Sequence, residues 1–361
     1  MSRPLPLDIP APSRAARLSR YVAIILTVGS ALFIFILGLE FLKGGASGMA
    51  GFLRGLRVAG FANNLGFGWL MAYLLLSGSP VAAIAVTLFA GGTMTAVETF
   101  GLINGSRFGA SFIVLFTGFV YYLRGIRGRG VVTMGVLSMV TTATIYLPAM
   151  ALGLLVLRQN WLAGVRLEAP LPIVSLLDLV YDPITGAARA ALPAVVVFAV
   201  GVGLLLFSFR LFDRALPSID SDLLESRWGR WLQKPQLTFA LGLLVTSITL
   251  SVSASLSILV PLAGRGYIRR DQVVPYIMGA NISTFVDTLF ASLLVGAPGA
   301  FTIVLTEIVA VTAVSLLVLL TSYRRYEAAL LGFNRFVAAD RRRFFAFVGL
   351  LALVPLTLLL L

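Results

Sequence analysis

The chain has 361 residues, 59% of them hydrophobic and 12% charged, with a mean hydropathy of +0.98, which excludes a soluble globular domain. It contains no cysteine and no histidine, so disulfides, thiolate chemistry, imidazole metal sites and histidine proton relays are excluded together. The net charge of +13 sits almost wholly on arginines in short loops between apolar runs, a membrane-topology pattern rather than a nucleic-acid footprint.

Residues 1–20, with four arginines and four prolines, predict a retained cytoplasmic tail. The first span, 21–42, therefore runs outward. The loop 43–58, carrying Lys43, Arg54 and Arg57, lies outside in this scheme, against its charge. Runs 61–76 and 80–92 are too short to cross singly and are joined by Ser77-Gly78-Ser79-Pro80, which predicts a re-entrant hairpin entering from outside. An interrupted span over about 95–123 ends at the cytoplasmic arginines Arg124, Arg127 and Arg129. Residues 131–157 cross outward and complete a first membrane repeat, 21–157.

An external loop over 158–189 follows, and 190–210 returns inside. Residues 211–235 are polar and cytoplasmic. Arms at 236–250 and 256–264, separated by Ser251-Val252-Ser253-Ala254-Ser255, form a second hairpin entering from inside. An interrupted span over 268–296 and a crossing at 301–321 close the second repeat, 190–321. Residues 322–361 are a basic cytoplasmic loop, with Arg324, Arg325, Arg335 and Arg341-Arg342-Arg343, and a final span ending outside. Trp69, Trp161, Trp228 and Trp231 read as interface anchors.

Shifting the chain against itself by 174 residues aligns Gly68 with Gly242, Leu76-Ser77 with Leu250-Ser251, Ser79 with Ser253, and Gly105 with Gly279. Over residues 68–116, 13 of 49 positions are identical to their partners, against about a tenth expected from shared composition. Three crossings separate the two hairpins, so the repeats are inverted. The predicted fold class is an all-α polytopic membrane protein with two inverted repeats, each holding a re-entrant helical hairpin and a broken transmembrane helix. Broken helices expose backbone polar groups at mid-membrane, where only protein, water or a ligand can satisfy them.

At these breaks the chain resembles the sodium-phosphate cotransporter family, whose halves each carry a Gln-Ser-Ser-Ser hairpin tip followed by a Gly-Ala-Asn-Ile-Gly-Thr break. Gly279-Ala280-Asn281-Ile282-Ser283-Thr284 matches that break with one substitution, and Leu250-Ser251-Val252-Ser253-Ala254-Ser255 precedes it at the family distance. The first-half counterparts are Leu76-Ser77-Gly78-Ser79 and Gly105-Ser106-Arg107-Phe108-Gly109-Ala110. The tip glutamines are leucines here, and the first-break asparagine is Arg107.

The resemblance implies an anion site at Ser77, Gly78, Ser79, Arg107, Ser251, Ser253 and Ser255, and a cation site at Gly279, Asn281, Ser283, Thr284 and Asp287. Arg107 either binds the anion bidentately or stands in for a cation. Ionisable groups inside a membrane are functional suspects by default, which singles out Asp287 and adds Glu98 and Glu307 as coupling candidates.

The function expected is sodium-coupled symport of inorganic phosphate, or a related small oxyanion, by alternating access. Sodium serves as coupling ion, and no other cofactor and no nucleic acid takes part. The resemblance also suggests a homodimer in the plasma (inner) membrane, in contact with its lipids. Alternatives are a proton-coupled anion transporter and a non-transporting structural or regulatory relative. An enzyme acting on lipid phosphates is disfavoured, because the polar groups fall at mid-depth rather than at an interface.

Overall fold

The computed structural model describes residues 14–55, 58–123, 130–165, 167, 171–215, 234–250, 255 and 270–361. Among them there is no strand, and seven helical stretches are long and apolar enough to cross a membrane. The helices are α1 (Arg14–Gly55), α2 (Gly60–Leu75), α3 (Gly78–Ala90), α4 (Ala96–Leu123), α5 (Gly130–Arg158), α6 (Leu171–Ala191) and α7 (Ala194–Ala215). They continue with α8 (Pro235–Thr249), α9 (Arg270–Ser283), α10 (Val286–Leu294), α11 (Ala300–Leu317), α12 (Tyr323–Ala339) and α13 (Arg341–Leu360).

Several segments differ from expectation. Residues 43–55 are not a loop but the last turns of α1, whose 42 residues extend about 60 Å at 1.5 Å per residue. The stretch 158–189 holds the amphipathic helix α6 rather than loop alone. Beyond α11 the chain does not open into a basic loop. A π-helical turn, Val318–Ser322, carries it straight into α12, so Arg324, Arg325 and Arg335 project from a helix. Trp69 is buried, stacked on Phe108 with its indole donating to the Tyr73 hydroxyl, and so is no interface anchor.

Small residues let these helices meet. On α4, Gly101, Gly105 and Gly109 recur every four residues along one face, against α2. A Cβ on Gly105 would lie 2.0 Å from the Leu65 carbonyl oxygen, so glycine is required by contact with a neighbouring backbone. That need also corrects the expected interruption of this span: α4 runs unbroken through 105–109, because its glycines admit a helix instead of releasing one. The longest pairing, α1 with α7, is made in the same way at Gly38, Gly45 and Gly201.

The contacts of α2 on α4 recur in α8 on α9, 174 residues later. A Cβ on Gly68 would lie 2.2 Å from the Leu102 carbonyl oxygen, and one on Gly242 would lie 2.1 Å from that of Tyr276. A Cβ on Gly279 would lie 2.0 Å from the Phe239 carbonyl oxygen, as one on Gly105 would from that of Leu65. Both α2 and α8 end in a leucine with left-handed backbone, Leu76 at φ 52° and Leu250 at φ 49°. After Leu76 the chain reverses through Ser77 into α3, giving the first hairpin its expected short arms.

Candidate functional site

The site begins where α9 stops. Thr284 and Phe285 form a turn between α9 and α10, so the second-half span is interrupted at the last residue of the Gly279-Ala280-Asn281-Ile282-Ser283-Thr284 motif. The hydroxyls of Ser283 and Thr284 donate back into their own turn, to Ala280 O at 3.2 Å and Asn281 O at 2.9 Å. This leaves their oxygen lone pairs available to a cation. The Asn281 carbonyl also accepts from the Tyr146 hydroxyl of α5 at 2.9 Å, and the Asn281 amide donates to Thr142 of the same helix at 2.9 Å. Ser111 of α4 donates to the same Thr142 oxygen at 2.7 Å, so α4, α5 and α9 meet at one hydroxyl.

At the start of α10, Asp287 is buried, and its Oδ1 accepts from both the backbone N–H and the hydroxyl of Thr288. Its Oδ2 has no partner. The Ser79 hydroxyl, at the tip of the first hairpin, approaches this carboxylate without reaching hydrogen-bond geometry. Arg107 enters from α4, 4% exposed, donating through Nη2 to Thr288 Oγ1 at 2.8 Å while its guanidinium carbon lies 4.3 Å from the Phe285 ring centroid. Thr288 thus relays between the two charges: it accepts from Arg107 and donates to Asp287. Among the described residues neither carboxylate of this region has a cation within 4 Å.

From α11, the fully buried Glu307 accepts from Asn104 Nδ2 at 2.6 Å. The cluster therefore joins Ser79, Arg107, Asn281, Ser283, Thr284, Asp287 and Glu307, all expected from sequence. It adds four that sequence reasoning missed: Asn104, Thr142, Tyr146 and Thr288. Asn104, a lone amide at mid-span, carried a usable signal, since an uncompensated amide in hydrocarbon is costly.

Other expected residues fall elsewhere. Ser255 is buried in a separate network, accepting from Thr246 at 2.6 Å and paired with the Tyr276 hydroxyl at 2.7 Å, which ties it to α8 and α9. Gly78 is a packing position, where a Cβ would lie 2.7 Å from the Ser106 carbonyl oxygen. Ser77 is half-buried at the hairpin turn, with its backbone N–H on Ala72 O. Gly279 supplies the close approach of α9 to α8. Glu98 caps α4: it accepts from the Thr95 N–H and hydroxyl, both at 2.8 Å, and from Gly60 N at 2.9 Å. Ser251 and Ser253 lie outside the described residues.

Residues 204–339, from within α7 to the end of α12, match the family model described as Na+/Pi-cotransporter. The match covers 136 of the 361 residues. The segment matched to the Na+/Pi-cotransporter model contains Asn281, Ser283, Thr284, Asp287 and Glu307, whereas Ser79, Asn104 and Arg107 come from the preceding half of the chain. No curated protein and no solved structure matches the chain.

Proposed function

We propose that the protein is a sodium-coupled symporter of inorganic phosphate and that the buried cluster between α3, α4, α5, α9, α10 and α11 is its binding site. The observation that carries this reading is the meeting of Arg107 with the α9–α10 turn, where a buried guanidinium bonds Thr288 beside Asp287, whose Oδ2 has no partner. A guanidinium presents planar paired donors suited to a phosphate, while hard oxygens suit sodium. The Na+/Pi-cotransporter match over the half that contributes Asp287 agrees with both ligands.

The recurrence of the α2–α4 contacts in α8–α9 supports a two-repeat carrier. With inverted repeats, alternating access is a rocking of one half against the other around the cluster. The N-terminus is then cytoplasmic and the C-terminus outside, in the plasma membrane.

The decisive experiment is uptake of radiolabelled phosphate into proteoliposomes. Uptake that rises with an inward sodium gradient is expected. Uptake that follows a pH gradient and ignores sodium selects proton coupling instead, and no uptake under either gradient overturns transport.

A further inference from the structure

The buried cluster holds more carboxyl groups than its one arginine can pair with. Asp287 and Glu307 supply two carboxylates, Arg107 one guanidinium, and no other cation lies within ion-pair distance of either acid among the described residues. The guanidinium is also committed to one side. Nη2 is on Thr288, which passes the interaction to Asp287 Oδ1, and the plane lies against Phe285. Glu307 feels Arg107 only through space.

What Glu307 does contact directly is neutral. Asn104 Nδ2 donates to Glu307 Oε2 at 2.6 Å and to the Phe100 carbonyl at 3.0 Å. The second bond fixes the amide's orientation, since the opposite rotamer would set its oxygen against the Phe100 oxygen. Both residues are fully buried, and each keeps one acceptor without a partner: Asn104 Oδ1 and Glu307 Oε1. Orphaned acceptors on a carboxyl group with no cationic partner offer a place for a cation of hard-oxygen preference, whose binding would hold Glu307 ionised. The pair has no twin at the 174-residue offset, where Asn104 corresponds to Met278 and Glu307 to Thr133. It is therefore a feature of this arrangement and not of the duplicated motif.

We infer that Asn104 and Glu307 hold a sodium ion at a subsite of their own, between α4 and α11, distinct from the oxygens around Asp287. The inference rests on the sodium-coupled reading and assigns one of its ions to named atoms. With sodium bound at Glu307, the pair Arg107–Asp287 and the pair sodium–Glu307 are each neutral. The Asp287 side remains free to take a further cation alongside the phosphate.

The test is equilibrium binding of radioactive sodium to the full chain in lipid nanodiscs, with phosphate uptake measured in parallel. In E307Q, where glutamine can still accept from Asn104, the half-saturating sodium concentration for one component should rise about tenfold or more, or that component should vanish, at an unchanged thermal midpoint. Asn104→Leu should lose the same component. It provides the reading if E307Q is poorly folded. D287N should keep it. Sodium binding by E307Q or Asn104→Leu equal to that of the parent overturns the subsite. A parent that binds no sodium overturns both subsite and coupling. A parent that binds sodium at Glu307 yet moves no phosphate leaves the subsite standing and overturns only the proposed transport.

Discussion

Arg107 is oriented by an aromatic face below and a threonine hydroxyl in front, so its geometry depends on the planar fork and not only on its charge. Arg107→Lys should therefore raise the half-saturating phosphate concentration by about tenfold, the equivalent of roughly 1.4 kcal/mol, while the protein still inserts. Unaltered phosphate kinetics in that variant would assign Arg107 to packing. Asp287→Asn removes charge and keeps shape; its expected signature is weaker sodium dependence of uptake, read from sodium titrations at saturating phosphate. Both charges were legible in the sequence, because an ionisable residue within an apolar run stands out alone. Thr142, Tyr146 and Thr288 were not. Hydroxyls are common in membrane helices, and these acquire their role only from the chains they meet at Asn281 and Arg107, on helices distant in sequence.

At the scale of elements, Leu76 and Leu250 hold a backbone conformation that disfavours a side chain by about 1–2 kcal/mol. Replacing either with glycine should raise thermal stability in a detergent-melting assay, by roughly 1 kcal/mol, as long as the leucine packs on nothing essential. Leu76, 64% exposed, is the better case. The opposite is expected at Gly105 and Gly279, where alanine would drive a methyl into a neighbouring carbonyl. Either variant should lower folded yield or the melting midpoint, with a cost of about 1–3 kcal/mol from overpacking. Gly29→Ala, with open space around it, is the control.

The short hairpin arms could be read from sequence because Ser-Gly-Ser-Pro combines a turn with a helix start. The unbroken course of α4 could not. A glycine marks either a release of backbone or its close approach, and only the partner helix decides which. The extensions of α1 and α12 were missed for a related reason: Arg and Gly between apolar runs suggest a loop, but both are tolerated in a helix whose end leaves the hydrocarbon.

For the whole molecule, the absence of cysteine makes a labelling background without further engineering. Single cysteines at Ala338, in the last turn of α12, and at Trp161, just past α5, are both at exposed positions. If α7, the α9–α10 span and α11 each cross the membrane, an impermeant maleimide applied from one side should label only one of them, Trp161→Cys from outside and Ala338→Cys from inside. Labelling of both from the same side would remove one of these three crossings and overturn the proposed topology.

The excess carboxylate at the cluster also has an electrical meaning. With both carboxyls ionised and no bound cation the buried centre carries about one unit of negative charge, which the Arg107 proton cannot adjust and which only protonation of a carboxyl would cancel. Moving such a centre through the membrane field involves about 2.3 kcal/mol per elementary charge for each 100 mV. Reorientation of the empty protein would then respond to voltage, whereas the cation-filled form would travel nearly silent. Current transients recorded from protein in a planar bilayer, with no phosphate present, would therefore shrink as sodium is added, and the electrode would report occupancy of the site before any solute has moved.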